Sequence, residues 1–158
     1  MTELIVARVL HVLAVILWIG GVAMVTTVLL PAVRRLAGRD ERVRFFERIE
    51  AGFARQARWT TVLTGLSGFY LVHMLGAWGR FREVGYWWMH AMVLVWAVFT
   101  LMLFVLEPLW LHRWFEESAR REPERTLALI QRLHWVLLAV SLVAVAGAVG
   151  NEFHTSTR

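Results

Sequence analysis

Four long apolar stretches divide this chain, and they restrict what it can fold into. They cover residues of about 4–30, 59–78, 86–112 and 127–149, and each reaches the roughly 20 residues that an α-helix needs to cross a bilayer. Backbone polar groups inside lipid must find partners within their own segment, which a helix provides. The sequence therefore predicts an all-α protein: an integral membrane four-helix bundle in which residues 1–158 form a single domain.

The composition agrees with this class. Hydrophobic residues make up 58% of the chain, and its mean hydropathy is +0.55. The basic side chains are 17 arginines without a lysine, and they lie between the apolar stretches. That placement favours a role in membrane orientation and no nucleic-acid partner. Cysteine is absent, which excludes disulfides, thiolate metal sites, iron–sulfur clusters and heme attached through a cysteine pair.

Arginine predicts the orientation. Eight arginines lie between stretches one and two and four between stretches three and four, whereas the opposite side has four. The arginine-rich links are therefore expected in the cytoplasm, with both termini outside, in a multi-pass protein of a bacterial-type inner (plasma) membrane. Pro31 is expected to end the first helix. Apolar residues at helical spacing predict that residues 39–58 form an amphipathic extension of the second helix.

Histidines at the ends of the spans are the candidate functional residues, since ionisable groups in a membrane are costly and usually face a partner or a cavity. His90 and His112 are 22 residues apart on stretch three, about 33 Å of helical rise, and leave nearly the same face. The predicted depths sort the histidines into an outer group (His11, His73 and His90) and an inner group (His112 and His134).

Imidazole pairs at two depths predict heme. Neutral histidines on facing helices are the usual axial ligands of a buried low-spin heme iron. We predict that His11 pairs with His90 and that His112 pairs with His134, giving one or two hemes b per chain. His73 is the alternative outer ligand. A simpler role, as interfacial anchor or helix-linking hydrogen bond, stays open for each of these histidines.

Methionines near the outer histidines support a rival metal. Met89 and Met92 flank His90, and Met74 follows His73. Thioether and imidazole ligands suit Cu(I), so copper is the alternative cofactor. Methionine is also common filling in membrane helices, and adjacent residues such as Met89 and His90 point about 100° apart on a helix. Heme is therefore preferred.

Two motifs resemble known membrane proteins. The stretch 10–21 (LHVLAVILWIGG), followed by Leu29-Leu30-Pro31 and paired arginines, resembles the opening helix of copper resistance D-type proteins and of the four-helix bacterial protoporphyrinogen oxidase. Trp88-Met89-His90 is similar to the Trp-Leu-His of that oxidase's third helix. The resemblance implies a four-helix membrane fold with heme-associated histidines at His11 and His90. The oxidase has a lysine after its third-helix histidine, and this chain contains none, which counts against that activity.

The leading functional hypothesis is a membrane b-type cytochrome. The two-level layout is similar to small diheme cytochromes b, which implies electron transfer or quinone-linked redox chemistry; whether the chain is an enzyme or a carrier stays open. Copper handling or transport, and a cofactor-free structural or assembly role, are the alternatives. The expected partners are the lipid bilayer, a quinone and a second copy of the chain, since Gly147 and Gly150 can support a homodimer.

Overall fold

The computed structural model describes residues 2–35, 38–111 and 123–155. Its α-helices, in chain order, are α1 (Thr2–Met24), α2 (Leu30–Arg35), α3 (Arg39–Met74), α4 (Trp87–Leu101) and α5 (Pro123–Thr155). The first π segment (Val25–Leu29) joins α1 to α2, and the second π segment (Met102–Leu111) continues α4. No strand occurs within the described ranges, so the all-α prediction is confirmed for them.

The helices α1 and α3 run antiparallel along most of their length. His11 of α1 contacts Thr64 and Ser67 of α3, and ten residues later Gly21 contacts the ring of Phe53. We call the end of the bundle that holds the start of α1 and the end of α3 the His11 end. The opposite end, which holds α2 and the start of α5, is the Arg58 end.

A layer of apolar side chains at mid-height joins α1, α4 and α5. Trp18 meets Phe99 edge to face, with ring centroids 4.9 Å apart and planes at 87°. Val22, Val95 and Leu138 are buried in the same cluster. Because lipid chains are as apolar as these side chains, close packing holds such a layer together in a membrane rather than exclusion of water.

Pro31 does not end the first helix, so that prediction was wrong. The helix widens into the first π segment before Pro31, where the Leu30 N–H bonds to the Val25 carbonyl, and α2 then continues to Arg35. Two threonine hydroxyls in the segment donate to carbonyls four residues back: Thr26 to Val22 at 2.6 Å and Thr27 to Ala23 at 2.8 Å. The widened turn accommodates the proline ring, and the threonine hydroxyls bond to carbonyls of the turn that precedes the π segment.

The predicted extension of the second helix is helical: α3 is one continuous helix of 36 residues. It ends at Met74, and Gly76 turns the chain with a φ of +60°. Short 3-10 turns, Ala77–Arg82 and Val84–Tyr86, then lead into α4. The guanidinium of Arg80 lies 5.2 Å from the ring centroid of Tyr86 across this connection.

Three helical stretches within the described residues are long and apolar enough to cross a membrane: Thr2–Arg35, Val84–Glu107 and Arg125–Gly150. Large apolar side chains on their outer flanks are exposed, among them Ile16, Leu94 and Val143. Such apolar surface is suited to lipid contact. The predicted second span, 59–78, does not reach the same apolarity because threonine, glycine and serine recur in it. The count of four spans therefore stays a prediction.

Adjacent glycines on α1 give a direct test of the α1–α3 packing. A Cβ on Gly21 would overlap the Phe53 ring, whereas a Cβ on Gly20 would have nothing within 4 Å. We expect Gly21→Ala to lower the free energy of unfolding by about 1–3 kcal/mol through overpacking. Gly20→Ala is the control and is expected to be neutral or slightly stabilising, because alanine favours a helix. Thermal unfolding in detergent measures both, and equal effects would contradict this packing.

Candidate functional site

His11 is half-buried between α1 and α3, where two oxygens of α3 hold one ring nitrogen. Its Nδ1 lies 3.1 Å from the Thr64 carbonyl oxygen and 3.1 Å from Ser67 Oγ. A carbonyl oxygen only accepts, so Nδ1 carries the proton and donates it. The Ser67 hydroxyl itself donates to the Leu63 carbonyl at 2.5 Å, which leaves its lone pairs for His11. The other ring nitrogen, Nε2, therefore keeps its lone pair.

This tautomer is the one that metal-binding histidines commonly adopt. An N–H that donates to a backbone carbonyl fixes the ring and leaves the second nitrogen as a ligand. Gly68 allows the close approach, since a Cβ there would lie 3.0 Å from His11 Cε1. The helix α3 thus positions His11 in two ways. The Thr64 carbonyl and the Ser67 hydroxyl bind its Nδ1, and Gly68 leaves room for its ring.

Gly65 and Gly68 form a glycine stripe along one face of α3, and aromatic rings of this chain fill the space beside them. A Cβ on Gly65 would lie 2.5 Å from the Trp96 indole, and Gly68 faces His11. Trp96 Nε1 also donates to the Thr61 carbonyl at 2.9 Å. A stripe of this kind predicts either a neighbouring helix or a flat ligand. At Gly65 and Gly68 the structure shows neighbouring helices, because side chains of α4 and α1 occupy the space.

Buried polar atoms without a partner line the same helices. Within the described part of the chain they include Thr61 Oγ1 and Thr64 Oγ1 of α3 and Trp18 Nε1 of α1. Trp18 follows His11 by seven residues and leaves α1 within about 20° of the same direction. Unsatisfied groups of this kind are rare in folded proteins and call for an explanation. They were not among the predicted site residues, although Thr61, Thr64 and Ser67 stand at regular three-residue spacing in the sequence.

His90 has the opposite tautomer and an exposed position. Its Nε2 donates to the Phe81 carbonyl at 2.9 Å, and its ring meets the Phe81 ring edge to face at 5.5 Å. Phe99, which packs against α1, is nine residues away and so leaves α4 about 180° from His90. In this arrangement His90 fastens the Ala77–Arg82 turn to α4, and its free nitrogen is Nδ1.

His134 resembles His11 in its hydrogen bonding. Its Nδ1 donates to the Ile130 carbonyl at 2.9 Å, so its Nε2 keeps the lone pair. Leu138, in the mid-height layer, leaves α5 only about 40° from His134. His134 lies toward the Arg58 end from that layer and His11 toward the opposite end. Counting helical rise from Trp18 and Leu138, the two imidazoles are about 16 Å apart along the bundle axis.

The other two candidate ligands are placed differently. His73 is exposed at the last turn of α3, about 180° around that helix from Thr64. His112 lies outside the described residues. Among the histidines that the structure does describe, no hydrogen bond joins one to another, and no group of three or more His, Asp or Glu side chains there is arranged to hold a metal ion. The ligand pairs stay predictions.

The residues proposed for copper differ in their exposure. Met89 is buried at 7% exposure, whereas its neighbour His90 is exposed. Met74, beside His73, is 48% exposed.

Gly147, proposed for a dimer, instead packs within the chain: a Cβ there would lie 2.7 Å from the Trp87 ring.

A polar cluster at the Arg58 end crosses from α3 to the second π segment. Arg58 Nη2 bonds to Glu107 Oε1 at 3.0 Å, and Arg58 Nε donates to the Leu103 carbonyl at 3.3 Å. Arg58 is thus the ion-pair partner of Glu107 that the described residues show. In a π-helix the N–H of residue 108 would bond to the carbonyl of residue 103, but Pro108 has no N–H. Arg58 supplies the missing donor.

A groove of about 510 Å³ runs between the exposed flanks of α1 and α3 near the His11 end. Leu10 and Ser67 line it, and they are the chain neighbour and the hydrogen-bond partner of His11. Ala7, Leu63 and Tyr70 line it further. The groove thus lies along the same pair of helices that holds His11.

Comparisons with known proteins give no relative: no protein-family model, no curated protein and no solved structure matches this chain.

Proposed function

We propose that this chain is a membrane-embedded b-type heme protein that carries electrons, with His11 as an axial ligand of the heme iron. One observation carries the proposal: the Thr64 carbonyl holds the Nδ1–H of His11 inside an apolar helix pair, which leaves Nε2 free to bind iron. Bound heme supplies one-electron transfer. The residues of this chain hold it, set its surroundings and keep water away.

The fit to heme differs among the proposed ligands. His11 and His134 have a free Nε2 and lie at two levels, so each suits an axial position. His90 suits it only if its Nε2 leaves the Phe81 carbonyl. The proposed pairs are His11 with His90, or His73 as the alternative, and His134 with His112. The orphaned Thr61, Thr64 and Trp18 groups favour a polar molecule near His11, because they lack partners within the described chain.

Quinone is the proposed lipid-soluble electron partner. It reaches proteins from the bilayer, and the groove beside His11 opens on a flank of exposed apolar side chains. The arginine distribution supports four spans with both termini outside in a bacterial-type inner membrane.

Purified protein in detergent should test the proposal by a pyridine hemochrome assay scaled to protein concentration. We expect one or two hemes b per chain, with absorption bands that sharpen on dithionite reduction. Heme substantially below one per chain, after expression with heme precursor supplied, would overturn the proposal. Colourless protein that retains copper would instead favour the copper alternative.

A structural role is the second candidate, because each of three histidines donates to a backbone carbonyl: His11 to Thr64, His90 to Phe81 and His134 to Ile130. In that case the protein is colourless and the histidines link or brace helices. Loss of stability without loss of any cofactor on replacing His11 would favour this role.

A further inference from the structure

The groove between α1 and α3 forms where small side chains line both helices. Ala7 of α1, 7% exposed, and Ser67 of α3 lie at similar height, because the helices run antiparallel and His11, one turn after Ala7, contacts Ser67. Larger apolar side chains flank them: Leu10, Leu63 and Leu66. The volume of about 510 Å³ falls in the range of roughly 300–1,000 Å³ that is usual for ligand sites.

The groove has an apolar end and a polar end. It follows α1 from Thr2 to Leu10, about 12 Å of helical rise. The Leu10 end lies toward the mid-height layer and is apolar. At the other end, beside the first turn of α1, the lining includes Glu3 and Tyr70, both exposed. A ligand that fits this groove therefore has an apolar tail and a polar head.

The polar end selects among possible heads. Glu3 is the only charged side chain among the described residues that line the groove. A phospholipid carries a phosphate, and the Glu3 carboxylate repels its negative charge. A carboxylate accepts hydrogen bonds, and a tyrosine hydroxyl donates or accepts them. An uncharged head with hydroxyl groups therefore matches Glu3 and Tyr70 better than a phosphate does.

We propose that the groove binds a quinol, with the ring beside Glu3 and Tyr70 and the isoprenoid tail against Ala7 and Leu10. This inference rests on the proposed function, which names quinone as the electron partner. Glu3 accepts a hydrogen bond from one quinol hydroxyl, and Tyr70 bonds to the other ring oxygen. The oxidised quinone has carbonyl groups instead of hydroxyls and offers Glu3 no donor, so the groove prefers the reduced form. Along the helix, Glu3 is about 12 Å from His11.

Equilibrium binding of decylubiquinol to the full-length protein in detergent tests this proposal, and the measurement needs no heme turnover. We expect decylubiquinol to bind about tenfold more tightly than decylubiquinone, because a hydrogen bond to a charged group is a strong one. A photoreactive azido analogue of decylubiquinol, followed by peptide mass spectrometry, should attach within residues 2–10 and 63–70. Excess decylubiquinol should suppress that labelling.

Variants with matched controls locate the ligand. Ala7→Phe fills the groove and should lower the affinity at least about tenfold, whereas Val9→Phe, an exposed change at the same height outside the lining, should bind as wild type does. Tyr70→Phe removes one hydroxyl and should weaken binding about fivefold, with Tyr86→Phe as the control. Glu3→Gln should reduce the preference for quinol over quinone to about threefold or less. The Tyr70 and Glu3 variants change exposed side chains, so they test the site even if Ala7→Phe does not fold.

Three results would overturn the groove site. They are labelling only outside the groove, wild-type affinity in both Tyr70→Phe and Glu3→Gln, and displacement of the probe by phosphatidylglycerol but not by decylubiquinol. The last result would indicate a phospholipid site. A protein that holds heme but does not bind the probe contradicts the groove site alone. A colourless protein that binds the probe in the groove supports the site and contradicts heme binding.

Discussion

His11→Ala is expected to abolish binding of the heme near the His11 end, with loss of its absorption bands. The substitution removes the one imidazole whose Nδ1–H is held by both the Thr64 carbonyl and Ser67 Oγ. Added imidazole should restore a low-spin spectrum by entering the space that the side chain leaves. Heme per chain and reduced-minus-oxidised spectra measure the effect. A variant with a full low-spin heme complement would contradict the assignment.

Two further variants separate ligation from helix linking. His11→Gln keeps an amide donor for the Thr64 carbonyl but lacks a strong iron ligand, so it should retain stability and lose heme. Ser67→Ala removes a hydrogen-bond partner of the ligand and leaves the Thr64 carbonyl in place. Loss of such an outer partner typically lowers metal affinity by about 10–100-fold, so Ser67→Ala should weaken heme binding without abolishing it. His73→Ala separates the two proposed outer pairs: it should keep its heme if His90 is the partner of His11, and lose it if His73 is that partner.

In this chain the sequence predicts the positions of the helices more readily than it predicts which side chains the helices bring into contact. Apolar stretches locate α1, α4 and α5 because lipid-crossing helices need long apolar runs. The outcome at Pro31 was not predictable from the proline alone. It depends on a π-helical widening before the proline, in which the Leu30 N–H bonds to the Val25 carbonyl.

Tertiary contacts account for the rest of what the sequence left open. The glycine spacing on α3 was visible, but the Trp96 indole that fills Gly65 comes from 31 residues further along the chain. Glu107 had several arginines within reach, and only the packing of α3 against the second π segment selects Arg58. The tautomers of His11 and His90 likewise follow from carbonyls on other elements, to which spacing along the chain gives no guide.

Arg58→Met should lower the free energy of unfolding by about 1–3 kcal/mol, because it leaves two hydrogen-bond acceptors without their donor. The Leu103 carbonyl loses the N–H that Arg58 Nε donates to it, and Glu107 Oε1 loses its cation. Methionine replaces the aliphatic part of the arginine side chain, so the loss falls mainly on the contacts of the guanidinium group. For a chain of this size, about 2–4 °C in the unfolding midpoint is expected per kcal/mol. Arg55→Met, an exposed change one turn away, is the control and should fall within about 0.5 kcal/mol of wild type.

Pro108→Ala tests why Arg58 is needed. Alanine restores a backbone N–H to the second π segment. This N–H can bond to a carbonyl of the same helix, so the Leu103 carbonyl depends less on the Arg58 guanidinium. In a double-mutant cycle, Arg58→Met should therefore cost less stability in the Pro108→Ala background than in wild type. The residual cost then reports the ion pair with Glu107 alone. Equal costs in both backgrounds would show that the Leu103 carbonyl does not depend on Arg58, and that the ion pair is the whole contribution.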